Sequence, residues 1–470
     1  MRSITRLKGS TGDHRAFSVG AGTLLAAALL SSLLIALLLT PALLLNAGGK
    51  SAYAAEADAD QPSPSDPEHN LGGRLSPAGD YQTLQMACGE VELAAKVDLS
   101  AELPPVGDQG AQNSCVGWST GYYYKSWWEK QEHPDAGWDL TNPWYQYSPS
   151  FVYNQINGGV DDGATYSQAF SLLRDEGCTD IAYMPYNQAD FTTHPNSAQL
   201  SAALPYSIGD DYGTFWQKPD WPHKTGYVTP NDITQAKAWL NSGRVLVMMI
   251  PIYEDFPDYG LTANPASKYY DYNSFSNFNG GHAVCICGYD DNANPSGVDA
   301  DHKGGFLMAN SWGPAWNGAS NGFVYLSYDF VKRYVPEAWW MEDTRSSQPV
   351  VSSFVSQGGG AGDTIYIYGE NFGALRRDAG VTMNGIEAAV TSFEDHVVTA
   401  TIPPGDSEGP LLVRNWDGET SEPVDYPWTI YFAEGYTGDG FEEWLCLMNP
   451  AATATTAQVT YMFDDGSTES

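Results

Sequence analysis

The chain has 470 residues, enough for two to four domains and a substantial core. Hydrophobic residues make up 42% and charged residues 17%, a balance that excludes a disordered chain or a long coiled coil. Lys and Arg number 22 against 57 Asp and Glu, so the net charge is −35, and −39 from residue 55 onward. A surface this acidic repels phosphate backbones and anionic lipid, which argues against nucleic acid or a membrane surface as partner. Six cysteines are too few for a disulfide-framed scaffold.

Arg2, Arg6, Lys8 and Arg15 precede an apolar run from Ala21 to Leu45, followed by the small-x-small pattern Ala52-Tyr53-Ala54-Ala55. Residues 1–54 therefore read as a secretory signal peptide cut after Ala54. The apolar run is also long enough for an uncleaved anchor, since about 20 residues span a bilayer. Pro41 and the small residues downstream favour cleavage. The expected location is secreted and extracellular, within reach of a cell surface, with no membrane contact once the leader is gone. Residues 55–90, rich in Ala, Asp, Pro, Ser and Gly, read as a flexible linker.

Residues 91–345 mix helices and apolar strands, as an α+β domain does. Ser114 to Glu132 lacks proline and carries Trp118, Tyr122, Tyr123, Trp127 and Trp128, which predicts a buried helix. Thr165 to Glu176 predicts a second helix, stopped by Gly177. Val245–Ile252, His282–Tyr289, Phe306–Ala309 and Gly322–Leu326 predict buried strands. From residue 348 to 430 the pattern changes to short strands between Gly and Pro turns, with about one strand per ten residues. That spacing predicts a small β-sandwich. Residues 431–470 read as the start of a further β module.

Three separated stretches carry chemistry. They are Gly107-Asp108-Gln109-Gly110-Ala111-Gln112-Asn113-Ser114-Cys115, Gly280-Gly281-His282-Ala283-Val284 and Ala309-Asn310-Ser311-Trp312-Gly313. A Cys, a later His and a still later Asn supply a thiol nucleophile, its base and an orienter. Cys115 opens a predicted helix, where unpaired N–H groups and the macrodipole favour a thiolate. His282 would hold the proton, and Asn310 would fix the ring through its other nitrogen. The Gln109 amide can join the Cys115 N–H in holding an oxyanion.

On these residues the chain resembles the papain family of cysteine peptidases over about residues 94–340. Asn157-Gly158-Gly159 and Tyr183-Met184-Pro185-Tyr186 extend the resemblance, as do Gly288-Tyr289 after the histidine. The resemblance implies a two-lobe α+β fold, a helical lobe beside a β-barrel-like lobe. It implies Cys115 as nucleophile, His282 as acid/base, Asn310 as orienter and Gln109 as oxyanion donor. It further implies that Gly158 and Gly159 pair with an extended peptide, and that Trp312 borders the substrate while shielding the Asn310–His282 bond. No metal or organic cofactor is implied, and the partner is a protein or peptide substrate. Gly369-Glu370-Asn371-Phe372-Gly373, Val381-Thr382-Met383-Asn384-Gly385 and Ile402-Pro403 resemble an IPT/TIG immunoglobulin-like domain, whose ligand would be a cell surface or a glycan.

Departures from the papain pattern are Val116 in place of the usual Trp and Gln112 in place of a disulfide cysteine. Residues 55–93 are shorter than the family's usual inhibitory propeptide, so no latency device is expected there. Cys285 and Cys287 read as buried strand residues, and Cys88 with Cys178 as the candidate disulfide. Asp290-Asp291-Asn292-Ala293-Asn294 reads as a solvated loop, since it lacks the Gly and Glu of a calcium loop. Two competing functions remain open: a catalytically silent surface scaffold, and a transpeptidase using the same acyl-enzyme.

Overall fold

A computed structural model describes residues 69–435 apart from 80, 85–91, 135–136, 219–227, 255, 257–268, 271–277, 294–302, 317–320, 344–345, 358, 406–408 and 427–428, with the strands 15–20, 459–462 and 468–469. The apolar run of the expected leader, its cleavage site and Cys88 lie outside the described residues. Among the described residues, no helix is long and apolar enough to cross a membrane. The chain divides into two units, residues 53–346 and residues 1–52 with 347–470.

In the first unit, the aromatic run forms one helical rod in three segments: α1 (Cys115–Gly117), a π-helical stretch (Trp118–Lys125) and α2 (Ser126–Glu132). The wider winding has a local cause. The hydroxyls of Ser119 and Thr120 both donate to the Val116 carbonyl, competing with the amide that a regular α-helix would bring there. Trp118, Tyr122, Tyr123, Tyr124 and Trp127 are all buried. Tyr123 accepts the Gly107 N–H and donates to the Asn310 carbonyl at 2.7 Å. One phenol thus ties the rod to two of the three motif stretches.

Helix α3 (Pro149–Ile156) starts at Ser148, whose hydroxyl accepts the Phe151 N–H. Helix α4 (Tyr166–Glu176) starts with a reciprocal capping box between Thr165 and Gln168. It ends at Gly177, whose φ of 70° and close approach to the Ala203 carbonyl exclude a side chain.

Among the described residues, nine strands form the sheet of this unit: β1 (Gln82–Thr83), β2 (Lys96–Asp98), β3 (Tyr212–Gln217), β4 (Leu246–Tyr253), β5 (Tyr269–Tyr270), β6 (Phe278–Asp290), β7 (Gly305–Ala309), β8 (Phe323–Ser327) and β9 (Glu337–Met341). Their order is β1-β3-β9-β4-β6-β7-β8-β5, with β2 also on β6. The expected strands at Val245, His282, Phe306 and Gly322 are β4, β6, β7 and β8, shifted by a few residues. Strand β4 is buried throughout and pairs antiparallel with β6, placing Ile250 opposite His282. Strand β7 pairs with β6 through Cys285 and Ala309, so its end delivers Asn310 beside the His282 strand. Cys285 and Cys287 are buried free thiols, as is Cys178, which lies within weak hydrogen-bond reach of the Ser148 carbonyl.

Among the described residues the second unit contains three four-stranded sheets, two of them within residues 350–426. One orders Val350–Ser356, Thr364–Glu370, Val397–Thr401 and Ala389–Glu394; the other orders Ile386–Glu387, Gly380–Met383, Gly409–Arg414 and Val424–Tyr426. Ile365, Ile367, Val381, Val398, Leu411 and Val413 form its core. This is the β-sandwich the turn spacing predicts. Thr429–Gly435 joins a separate sheet with Arg15–Gly20, Val459–Met462 and Thr468–Glu469.

The rod also buries a charge. Lys125 is fully buried, and its ammonium donates to Glu129 and to Asp343. Burial pushes the Glu129 carboxyl up to about 7, with Lys125 opposing the shift. Removing the cation strands two buried carboxylates, so Lys125→Ala should cost about 3–5 kcal/mol. A denaturant midpoint unchanged by the substitution would contradict that assignment.

Candidate active site

The three motif stretches converge. Cys115 is the first residue of α1 and fully buried, and its Sγ accepts the Ala283 N–H at 3.4 Å. Ala283 follows His282 on β6, so this bond fixes the sulfur beside the histidine. His282 Nε2 lies 2.7 Å from Asn310 Oδ1, which also accepts the Ser311 N–H. His282 Nδ1 is buried and has no hydrogen-bond partner among the described residues. Trp312 is 2% exposed and packs over the imidazole, with ring centroids 4.7 Å apart.

Gln109 is held from three sides. Its N–H donates to the Ser311 carbonyl, its Oε1 accepts the Ser311 hydroxyl at 2.7 Å, and its carbonyl accepts the Tyr186 hydroxyl. These contacts leave Nε2 as the donor end. The role of Ser311 as the positioner of Gln109 is not readable from sequence, because the two residues are 202 positions apart.

Gly158 and Gly159, expected to pair with an extended peptide, lie in a turn at φ of 70° and 82°, closed by Asn157 Oδ1 accepting the Gly159 N–H. Nothing lies within 4 Å of a Cβ built at either position. The backbone edge that pairs with an extended segment is Ala164, further along the same loop.

That extended segment belongs to the chain itself. Residues 69–79, read from composition as linker, lie across the site as a strap. The Asn70 carbonyl accepts from Gln109 Nε2 at 2.8 Å. The Gly72 carbonyl accepts the Ala164 N–H, the Gly73 N–H donates to the Gly281 carbonyl, and the Arg74 N–H donates to the Ala164 carbonyl, each at 2.9 Å. The Gly72 N–H is directed at the Cys115 sulfur. His69 stacks on Trp312, and its Nε2 lies 3.5 Å from Asp108 Oδ1. Leu71 is buried in the hydrophobic core.

The strap explains its own glycines. A Cβ on Gly72 would sit 1.9 Å from the Asn113 carbonyl oxygen, and one on Gly73 would sit 2.8 Å from backbone atoms of Gly281 and His282. Only a chain without side chains passes this close to the nucleophile.

Burial sets the ionisation of Cys115 and His282. Burial pushes the Cys115 thiol up to about 11, against the N–H groups of Ala283 and Gly72 that favour the thiolate. Burial pushes the His282 imidazole down to about 4, against its bond to Asn310. At neutral pH the closed site therefore holds a neutral thiol and a neutral imidazole.

Forcing a methyl group into the tight passage at Gly72 should loosen the strap. Overpacking of this kind costs about 1–3 kcal/mol, so Gly72→Ala should speed iodoacetamide alkylation of Cys115 by about 5- to 150-fold. Equal alkylation rates in both proteins would show that the strap does not limit access.

The papain family cysteine protease pattern matches residues 94–334, and the IPT/TIG domain pattern matches residues 349–426. An uncharacterized peptidase C1-like protein of Acanthamoeba polyphaga mimivirus is 22% identical over 273 residues, which cover 57% of this chain and 78% of that protein. Among solved structures, xylellain, a cysteine protease from Xylella fastidiosa, is similar at a TM-score of 0.47 and 19% identity, covering 61% of this chain and 98% of its own. Digestive procathepsin L 3 of Tenebrio molitor larval midgut is similar at a TM-score of 0.36 and 19% identity, covering 56% of this chain and 75% of that one.

Proposed function

Since this chain belongs to the papain family of cysteine proteases and is a peptidase, we propose that it cuts peptide bonds through Cys115, His282 and Asn310, and that it does so outside the cell. The observation that supports the assignment is the 2.7 Å contact between His282 Nε2 and Asn310 Oδ1, which leaves Nδ1 unpartnered among the described residues, on a strand whose next residue, Ala283, donates its N–H to the helix-opening Cys115 sulfur.

With the strap displaced and a peptide in its place, His282 takes the Cys115 proton. The sulfur attacks the peptide carbonyl carbon, forming a C–S bond while the carbonyl π electrons move onto oxygen. Gln109 Nε2 and the Cys115 N–H hold that oxyanion. As the tetrahedral species collapses, the C–N bond breaks and His282 passes its proton to the leaving amine. His282 then deprotonates a water molecule, which attacks the thioester and returns the thiol. Asn310 keeps the ring in one orientation throughout, and Trp312 keeps water from its hydrogen bond.

The basic start, apolar run and small-x-small site of residues 1–54 support export, and the acidic surface suits an extracellular protein. The same strap makes the chain latent as folded, because it occupies the sulfur, the Gln109 amide and the Ala164 edge together. The β-sandwich unit would serve as a binding module for a cell surface or a glycan. Transpeptidation would share the acyl-enzyme, and products formed with an added amine distinguish it from hydrolysis.

The test is mass spectrometry after treatment with an epoxide-type thiol-protease inhibitor, beside casein hydrolysis. A single adduct on Cys115, lost in His282→Ala, is expected once the strap is loosened. Cys115→Ala should abolish cleavage, and Gln109→Ala should lower kcat by about 10²- to 10³-fold. A folded, strap-loosened chain that takes no adduct would leave the silent scaffold as the better reading.

A further inference from the structure

Away from the catalytic residues, the rod seats a second reactive group against a carboxyl. Lys125 Nζ donates to Glu129 Oε1, one helical turn along the rod, and to Asp343 Oδ2, 218 positions away in sequence. Lys125 is fully buried, and the Glu129 and Asp343 side chains are 1% and 2% exposed. The rod grips the end of β9 on both sides of this contact. The Met341 N–H donates to the Tyr124 phenol at 2.9 Å, and the Met341 carbonyl accepts from the Trp128 indole at 3.0 Å. Tyr124 and Trp128 are the immediate neighbours of Lys125 and Glu129, so the same grip delivers Asp343 to the amine. Glu132 completes the cluster: one oxygen from each of Glu129, Glu132 and Asp343 lies within 4.8 Å of the other two. Glu129 Oε2 and Glu132 Oε1 are buried with no hydrogen-bond partner among the described residues. Three carboxyls thus face one amine in a site closed to water, with Glu129 in reach of both reacting partners.

We propose that Lys125 and Asp343 condense into an intramolecular amide bond, with Glu129 as the proton shuttle. The ion pair of the fold is the reactant. Burial opposes the charge on Lys125, while Asp343, Glu129 and Glu132 favour it. The step begins when Nζ passes one proton to Asp343 Oδ2, converting two buried charges into a neutral amine and a neutral acid. Nζ then attacks Cγ of Asp343, and the carbonyl π electrons move onto oxygen. Glu129 in its acid form protonates that oxygen and takes a proton back from Nζ. The neutral tetrahedral species collapses: the C–O bond to one hydroxyl breaks, that hydroxyl leaves as water with a proton from Glu129, and the other hydroxyl returns a proton to Glu129. One N–C bond forms, one C–O bond breaks, one water is released, and nothing is oxidised or reduced. Two features of the site favour the product. Well-oriented groups in contact react as if at an effective concentration of up to about 10⁸ M. The amide also removes two charges from the interior, where an ion pair is poorly supported. Burial holds the Glu129 and Glu132 carboxyls above their ordinary range, which keeps acid available in the cluster at neutral pH.

The bond would tie the rod to the end of β9 covalently, and it does not depend on peptide cleavage by Cys115. The test therefore uses the full chain carrying Cys115→Ala, purified folded, held at neutral pH, then unfolded and digested with trypsin for mass spectrometry. An amide on Nζ blocks the cut after Lys125. The expected product is fragment 97–130, uncut at Lys125 and joined to fragment 334–345, at the sum of their masses less one water. Asp343→Ala should restore the cut. Glu129→Gln keeps the shape of the shuttle without its acid and should slow joining by about 10²- to 10⁴-fold. Separate fragments from the folded parent chain, with Lys125 cut, would overturn the bond whether or not any variant folds. A water loss mapped to Lys125 and Glu129 would overturn Asp343 as the partner. Joining at the parent rate in Glu129→Gln would overturn the shuttle.

Discussion

The removal of water from Cys115 governs the rest of the site. A thiol and an imidazole in contact can share a proton as an ion pair only where water or fixed dipoles support the charges. With Gly72 and Gly73 lying over them, both groups are fully buried and both are driven to their neutral forms. The helix N-terminus and the Ala283 N–H still favour a thiolate, but burial outweighs them. The strap therefore lies in a site whose nucleophile and base are both held neutral by burial.

The fold supplies this arrangement through a small number of connections. The α1 rod fixes the sulfur, the β4–β6 register fixes the histidine, and the end of β7 fixes the asparagine. Tyr123 joins the first and third stretches from beneath, while Ser311 locks Gln109 from the side. These are contacts between elements far apart in sequence, so the geometry depends on the whole unit being folded. The strap uses the same frame: Ala164 and Gly281 offer it backbone partners, Gln109 caps Asn70, and Glu337 receives Ser76.

Much of the fold was legible in the sequence because its signals are local. The aromatic run from Trp118, the Thr165 and Gly177 punctuation of α4 and the apolar runs of β4 and β6 each mark an element by themselves. The ordered Gln, Cys, His and Asn motifs likewise named residues that the structure brings together. Less legible was everything set by long-range packing. The π-helical winding follows from hydroxyls competing for one carbonyl. Gly158 and Gly159 carry a motif signal, whereas the pairing of Ala164 with the strap is a contact between distant residues that no local pattern marks. The strap was hidden most completely. Its Gly-rich, polar composition is what a linker shows, and only the narrowness of the passage over Cys115 reveals that the glycines fit a site.

The most direct test of this account is the ionisation of Cys115 itself. It can be followed as the thiolate ultraviolet absorbance difference between a chain and its Cys115→Ala counterpart across pH. The account predicts no thiolate in the strapped chain until strongly alkaline pH, and thiolate at much lower pH once the strap is displaced. Identical titrations in the two states would contradict it, because the strap would then not control the nucleophile.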